Sequence, residues 1–95
     1  MPEMRFRILW PDGVAETCYS PSLVVKEHLR VGASYEPSEF LARCRVALNI
    51  ASDRVQEKYG HACSLALGQL ARIEEGCAKF AGRPDARVSV EAFEE

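Results

Sequence analysis

Thiols and imidazoles give this sequence its widest chemistry: Cys18, Cys44, Cys63 and Cys77, with His28 and His61. A cysteine attacks through its thiolate, so it needs a positive field to lower its pKa and a base within reach. The stretch CYSPS, Cys18 to Ser22, offers such a setting. A helix opening at Pro21 would turn its positive dipole end toward Cys18, and the Ser20/Ser22 turn could hold an anion there. His28 or Tyr19 could assist if the chain folds back. Cys18, Tyr19, Ser20, Ser22 and His28 are therefore the candidate binding residues. The competing reading is that the segment turns the chain and Cys18 packs. Neither an oxyanion hole nor an orienting carboxylate is legible, so no residue is assigned a catalytic role.

The other thiols read as core. No C-x-x-C pair occurs, and the default without a secretion signal is reduced cysteine behaving as a small buried hydrophobe. Zinc would need His61 and Cys63, two apart, to join Cys44 and Cys77 from several turns away, so no metal site is expected. Phosphate loops, dinucleotide fingerprints, HExxH and nucleophile elbows do not occur, so no cofactor is expected either.

The elements that must position these residues are legible from periodicity. Met4, Phe6, Ile8 and Trp10 alternate with Arg5 and Arg7 as a half-buried strand, Pro11-Asp12-Gly13 turns, and Val14 to Tyr19 returns. The alternation puts Cys18 on the side of Val14. Ser20 before Pro21 has the form of a helix cap, predicting a short helix through His28, although Leu23-Val24-Val25 also suits extended chain.

From Pro37 to Tyr59, Phe40, Cys44, Ala47, Leu48, Ala51 and Val55 follow one helical face, with Tyr35 stapled onto Phe40. Gly60 ends this helix. A second stripe from His61 to Ala81 runs through Cys63, Ala66, Leu67, Leu70, Ile73, Cys77 and Phe80, stopped by Gly82 and Pro84. The short break predicts an antiparallel helical hairpin, a kinked continuous helix being the alternative. In the hairpin, Cys44 lies near Cys77 and Cys63 by the bend. A disulfide between Cys44 and Cys77 would need Cβ atoms within about 4.5 Å. Arg87 to Phe93 alternates again, with Val88, Val90 and Ala92 on one side.

These pieces predict one α+β domain over residues 1–95: a two-layer fold with a three-stranded antiparallel sheet, the N-terminal hairpin plus the C-terminal strand, on the helical hairpin. At 95 residues such a core needs no disulfide or metal. A net charge of −2 predicts no attraction to nucleic acid, and the outer sheet face, with Arg5, Arg7, Arg87 and Glu91, lacks the aromatics on which bases stack. No segment approaches the ~20 apolar residues that span a bilayer. The start, MPEMRFRILW, does not read as a secretion signal, which predicts a cytoplasmic protein without membrane partners.

The combination of MPEMRF, WPDG at 10 to 13, CYSPS, Val24-Val25, Gly32, Tyr35, YG at 59 and 60, ACS at 62 to 64 and VEAFEE resembles a family of small bacterial proteins of the nitrogen starvation response. The resemblance spans nearly the whole chain. It implies a place beside a nitrilase and other enzymes of nitrile or cyanide assimilation, in an accessory or regulatory role, and it carries over no catalytic residue. His61 stands where that pattern leads one to expect an apolar aromatic. The preferred reading is a non-enzymatic binding protein, a homodimer with a possible protein partner from the same pathway. Flanking apolar residues such as Val46 and Leu65 invite a partner surface. The alternatives are a small thiol-dependent enzyme using Cys18 and a sensor of a small nitrogen metabolite.

Overall fold

A computed structural model describes residues 3–61 and 63–95. The chain runs β1 (Met4–Leu9), β2 (Ala15–Ser20), a 3₁₀ turn (Leu23–Glu27), β3 (Ser34–Tyr35), α1 (Pro37–Tyr59), α2 (Ser64–Lys79) and β4 (Val88–Glu94). The strands form one antiparallel sheet in the order β2-β1-β4-β3.

The α+β reading holds, but the sheet has four strands rather than three. Ser34 pairs with Ser89 and Tyr35 with Val88, and the ladder continues through Gly32 N–H to Val90 O at 2.8 Å and Val90 N–H to Ala33 O at 3.0 Å. Two residues are too few to show alternation, so this edge strand is invisible to a periodicity argument.

β4 carries a second correction. Its register against β1 shifts between Arg7 and Ile8, so Arg7 pairs with Ala92 while Ile8 pairs with Val90. Glu91 is the extra residue of a β-bulge. A one-residue shift exchanges the faces, so Ala92 joins Arg7 outside and Phe93, opposite Phe6, packs against the core. The bulged Glu91 meets Arg7 at 3.4 Å.

The 3₁₀ turn replaces the helix expected over 21–28. Ser22, not Ser20, is its cap, accepting the N–H of Val24 at 3.2 Å. β-Branching at Val24 and Val25 disfavours a longer helix, and both side chains are buried.

The α1 bounds agree with the sequence. Glu36 precedes Pro37 without a side-chain cap, and Gly60 closes the helix at φ 81°, a left-handed cap that glycine adopts without strain. Tyr35 packs near Phe40, ring centroids 6.5 Å apart. α2 begins later than expected, at Ser64, because Cys63 is still extended at φ −83°, ψ 105°. The two helices form an antiparallel hairpin: Cys63 N–H donates to Ser52 Oγ at 3.2 Å near the bend, and Arg45 meets Glu74 at 2.9 Å further out.

The core lies between sheet and helices. Met4, Phe6, Ile8, Val88 and Val90 meet Phe40, Cys44, Ala47, Leu48, Leu70, Ile73 and Cys77. Trp10 closes one end, stacked on Phe80 at 6.1 Å and edge-on to Phe40 at 6.2 Å. Gly76 makes room for that indole, since a Cβ there would fall 2.4 Å from Trp10 Cη2. Mid-helix glycine costs about 1 kcal/mol relative to alanine, and here the indole supplies the reason.

Candidate functional site

The CYSPS residues part company in three dimensions. Strand alternation sends Cys18 inward, opposite Phe6, where it is fully buried. Val14 does not share that environment: it lies just before β2, its carbonyl accepting the N–H of Trp10 at 2.8 Å, and is 56% exposed. Tyr19 faces the outer side, pairs with Arg5 across the strands, and has the Arg5 guanidinium 5.9 Å over its ring. Its backbone N–H donates to Gln69 Oε1 at 3.0 Å, which occupies one group on the open edge of β2.

Ser20 and Ser22 are brought together, both buried. Ser20 Oγ donates to Ser22 O at 2.7 Å and accepts the N–H of Ser22 at 3.3 Å. Ser22 Oγ accepts from Val24 N–H and from Arg54 Nη1 at 3.0 Å. Both hydroxyls thus brace the turn that leads the chain under the sheet. His28 ends the turn in a separate recess with Lys26, Arg30, Tyr35 and Arg43, where its carbonyl accepts from Arg43 Nη1 at 3.0 Å.

Burial decides the thiol chemistry. It pushes the Cys18 thiol from 9.0 up to about 12, and the negative charge of Glu16 adds to the rise while Arg72 opposes it. The helix-dipole activation considered for Cys18 is therefore reversed: desolvation disfavours the thiolate, and the turn that follows is too short to offset it. Burial also raises Cys44 well above its ordinary value, reinforced by Cys18 and Cys77. Cys77 rises to about 11 for the same first cause, with Arg45 opposing. All four cysteines are free, and Cys63, at the bend, is the partly exposed one. The hairpin does bring Cys44 and Cys77 into one another's field. That Cys18 joins them is a feature the sequence reading missed, because it depends on where β2 lies over the helical hairpin. Among the described residues, no group of three or more His, Cys, Asp or Glu side chains could hold a metal ion, and no helix is long and apolar enough to cross a membrane.

A recess of a different kind lies elsewhere. Where α1 begins and α2 ends, the antiparallel hairpin places Pro37 and Leu41 beside Cys77 and Ala78, and the chain beyond Phe80 bends back through Gly82 to Pro84. The result is a groove of about 480 Å³ with an apolar floor and a rim of Glu36, Glu74 and Arg83. Gly82, at φ 82°, and Pro84 were legible as helix stops, yet they also build one wall.

A family model for the nitrogen starvation-induced protein NitG matches residues 5–93. The chain belongs to that family. No curated protein and no solved structure matches it. For a NitG-family chain, the geometry therefore has to supply the molecular reading: a quiet thiol core, a braced turn at 20–22, and an open groove at the far end of the helical hairpin.

Proposed function

We propose that this NitG-family chain is a non-enzymatic accessory or regulatory binding protein of the nitrogen starvation response, acting in the cytoplasm as a homodimer and serving enzymes that assimilate nitriles. The groove of about 480 Å³ carries the reading. Its apolar floor suits an apolar anchor side chain of a partner protein, and its charged rim suits the polar surround that orients such anchors. The buried, neutral Cys18 speaks against the thiol-enzyme alternative, which needs an accessible thiolate. Val46 and Leu65, 49% and 66% exposed, support a second contact surface.

The test is affinity capture from nitrogen-starved cells with the native chain and with Ala78→Arg, at an exposed groove position, its fold checked by circular dichroism. The native chain is expected to retain an enzyme of the pathway that Ala78→Arg loses. Identical captures from both, or none from either, would remove the groove reading. Light scattering showing a strict monomer at high concentration would remove the dimer.

A further inference from the structure

One inward-facing position on the N-terminal hairpin is not apolar. Met4, Phe6, Ile8 and Cys18 face the helices, yet Glu16, directly opposite Ile8, shares that face. Its Oε1 accepts the indole N–H of Trp10 at 3.0 Å. Seating the indole requires one acceptor, which a neutral glutamine would provide equally well. The second oxygen and the charge exceed that need. Oε2 is buried and takes no hydrogen bond. Its ion-pair partner, Arg72 Nη2, stands 3.7 Å away, beyond hydrogen-bond reach, on a side chain that is 69% exposed. Buried carboxylate oxygens are normally satisfied, so this one points to a missing donor.

Glu16 lines a cleft of about 310 Å³ between the hairpin turn and the last turns of α2. Both signs of charge meet there. Asp12 and Glu75 stand with Glu16, Lys79 stands with Arg72, and the rings of Trp10 and Phe80 form an apolar side. Asp12 Oδ1 already accepts the N–H of Val14 at 3.1 Å. The volume is at the small end of metabolite sites.

We propose that this cleft binds a free α-amino acid, its ammonium on Glu16 Oε2 and its carboxylate between Arg72 and Lys79. The ammonium supplies the donor that Oε2 lacks. The ligand carboxylate replaces Glu16 as the partner of Arg72, so the guanidinium swings outward and uncovers Oε2. A simple amine would be repelled by Arg72 and Lys79, and a simple carboxylate by Glu16 and Glu75, whereas a zwitterion satisfies both. The site gives the metabolite-sensing alternative a location. Phe80 lines both this cleft and the groove, but Glu16 lies in the cleft and Ala78 in the groove, so the variants that test the two proposals act at separate positions.

Calorimetric titration of the full chain with L-alanine, L-glutamine, L-phenylalanine, N-acetyl-L-alanine and ethylamine tests it. At least one free amino acid is expected to bind and to raise the melting temperature. N-acetyl-L-alanine and ethylamine are expected to bind at least tenfold more weakly. Glu16→Gln, which keeps an acceptor for Trp10, is expected to lower amino-acid affinity at least tenfold with little change in melting temperature. Failure of all three amino acids, equal binding of the two truncated probes, or undiminished binding by Glu16→Gln would each overturn the proposal. If Glu16→Gln does not fold, the probe series on the native chain decides alone.

Discussion

Glu16 and Cys18 lie two residues apart on β2 and point the same way, yet one ends at the rim of a cleft and the other inside the core. Cys18 sits opposite Phe6, midway along β2 and beneath the helices, where no water reaches it. Glu16 sits opposite Ile8 near the open end, where Trp10 and Arg72 approach and the cleft begins. Residue type alone would rank the thiol as the reactive group. Position along the strand reverses that ranking, because a buried thiol stays protonated while a carboxylate at the edge can meet donors. Residue chemistry proposes a site, and position along the strand, through burial, decides whether the chemistry is available.

Adding a charge at position 18 and removing one at position 16 are expected to have very unequal effects. Cys18→Asp places an uncompensated charge in the core and is expected to cost about 3–5 kcal/mol, enough to unfold a marginal domain. Glu16→Gln should stay within about 1 kcal/mol of native stability, because Trp10 keeps its acceptor. Urea midpoints for both variants check this.

The thiol half of the comparison also has a pH signature. Cys18, Cys44 and Cys77 have folded pKa values above the ordinary 9.0. Their contribution to stability is fully present below that value and is lost as pH rises, because the unfolded chain then binds fewer protons than the folded one. Each such thiol is expected to subtract up to about 1.4 kcal/mol of stability per pH unit between pH 9 and its folded pKa. Denaturant titrations at pH 8, 9 and 10 should show this slope, and Cys18→Ala should flatten it.

Two smaller effects concern what positions the cleft and the turn. Gly76→Ala forces a methyl group against the Trp10 indole, with an expected loss of about 1–3 kcal/mol from overpacking despite alanine's better helix propensity. A gain in the denaturation midpoint would show that the indole is not held there. Ser22→Ala removes the acceptor for Val24 N–H and Arg54 and is expected to cost about 1 kcal/mol, read from the same denaturation curves.

Helix faces and the first hairpin were legible in the sequence because each repeats its pattern over many residues. Phe40, Cys44, Leu48 and Val55 mark α1, and Phe6, Ile8 and Trp10 mark the inward side of the hairpin. Features set by one or two residues were not. Ser34–Tyr35 is too short to alternate, and the bulge at Glu91 moves Ala92 and Phe93 to opposite faces without any composition signal. For the candidate residues, proximity along the chain misled: Tyr19 and Cys18 fall on opposite faces, and His28 ends in a different recess. The groove joins residues near 37 to residues near 80, and the cleft joins Glu16 to Arg72. Contacts between such distant positions become visible only once the helical hairpin lies under the sheet.

The central claim, that the CYSPS segment builds the fold and does not react, is tested most directly by the alkylation rate of Cys18 in the native chain. With iodoacetamide at pH 8 and site-resolved mass spectrometry, Cys18 is expected to react at least a hundredfold more slowly than free cysteine and to catch up only when urea unfolds the domain. Alkylation of Cys18 as fast as free cysteine, with the fold intact by circular dichroism, would contradict it.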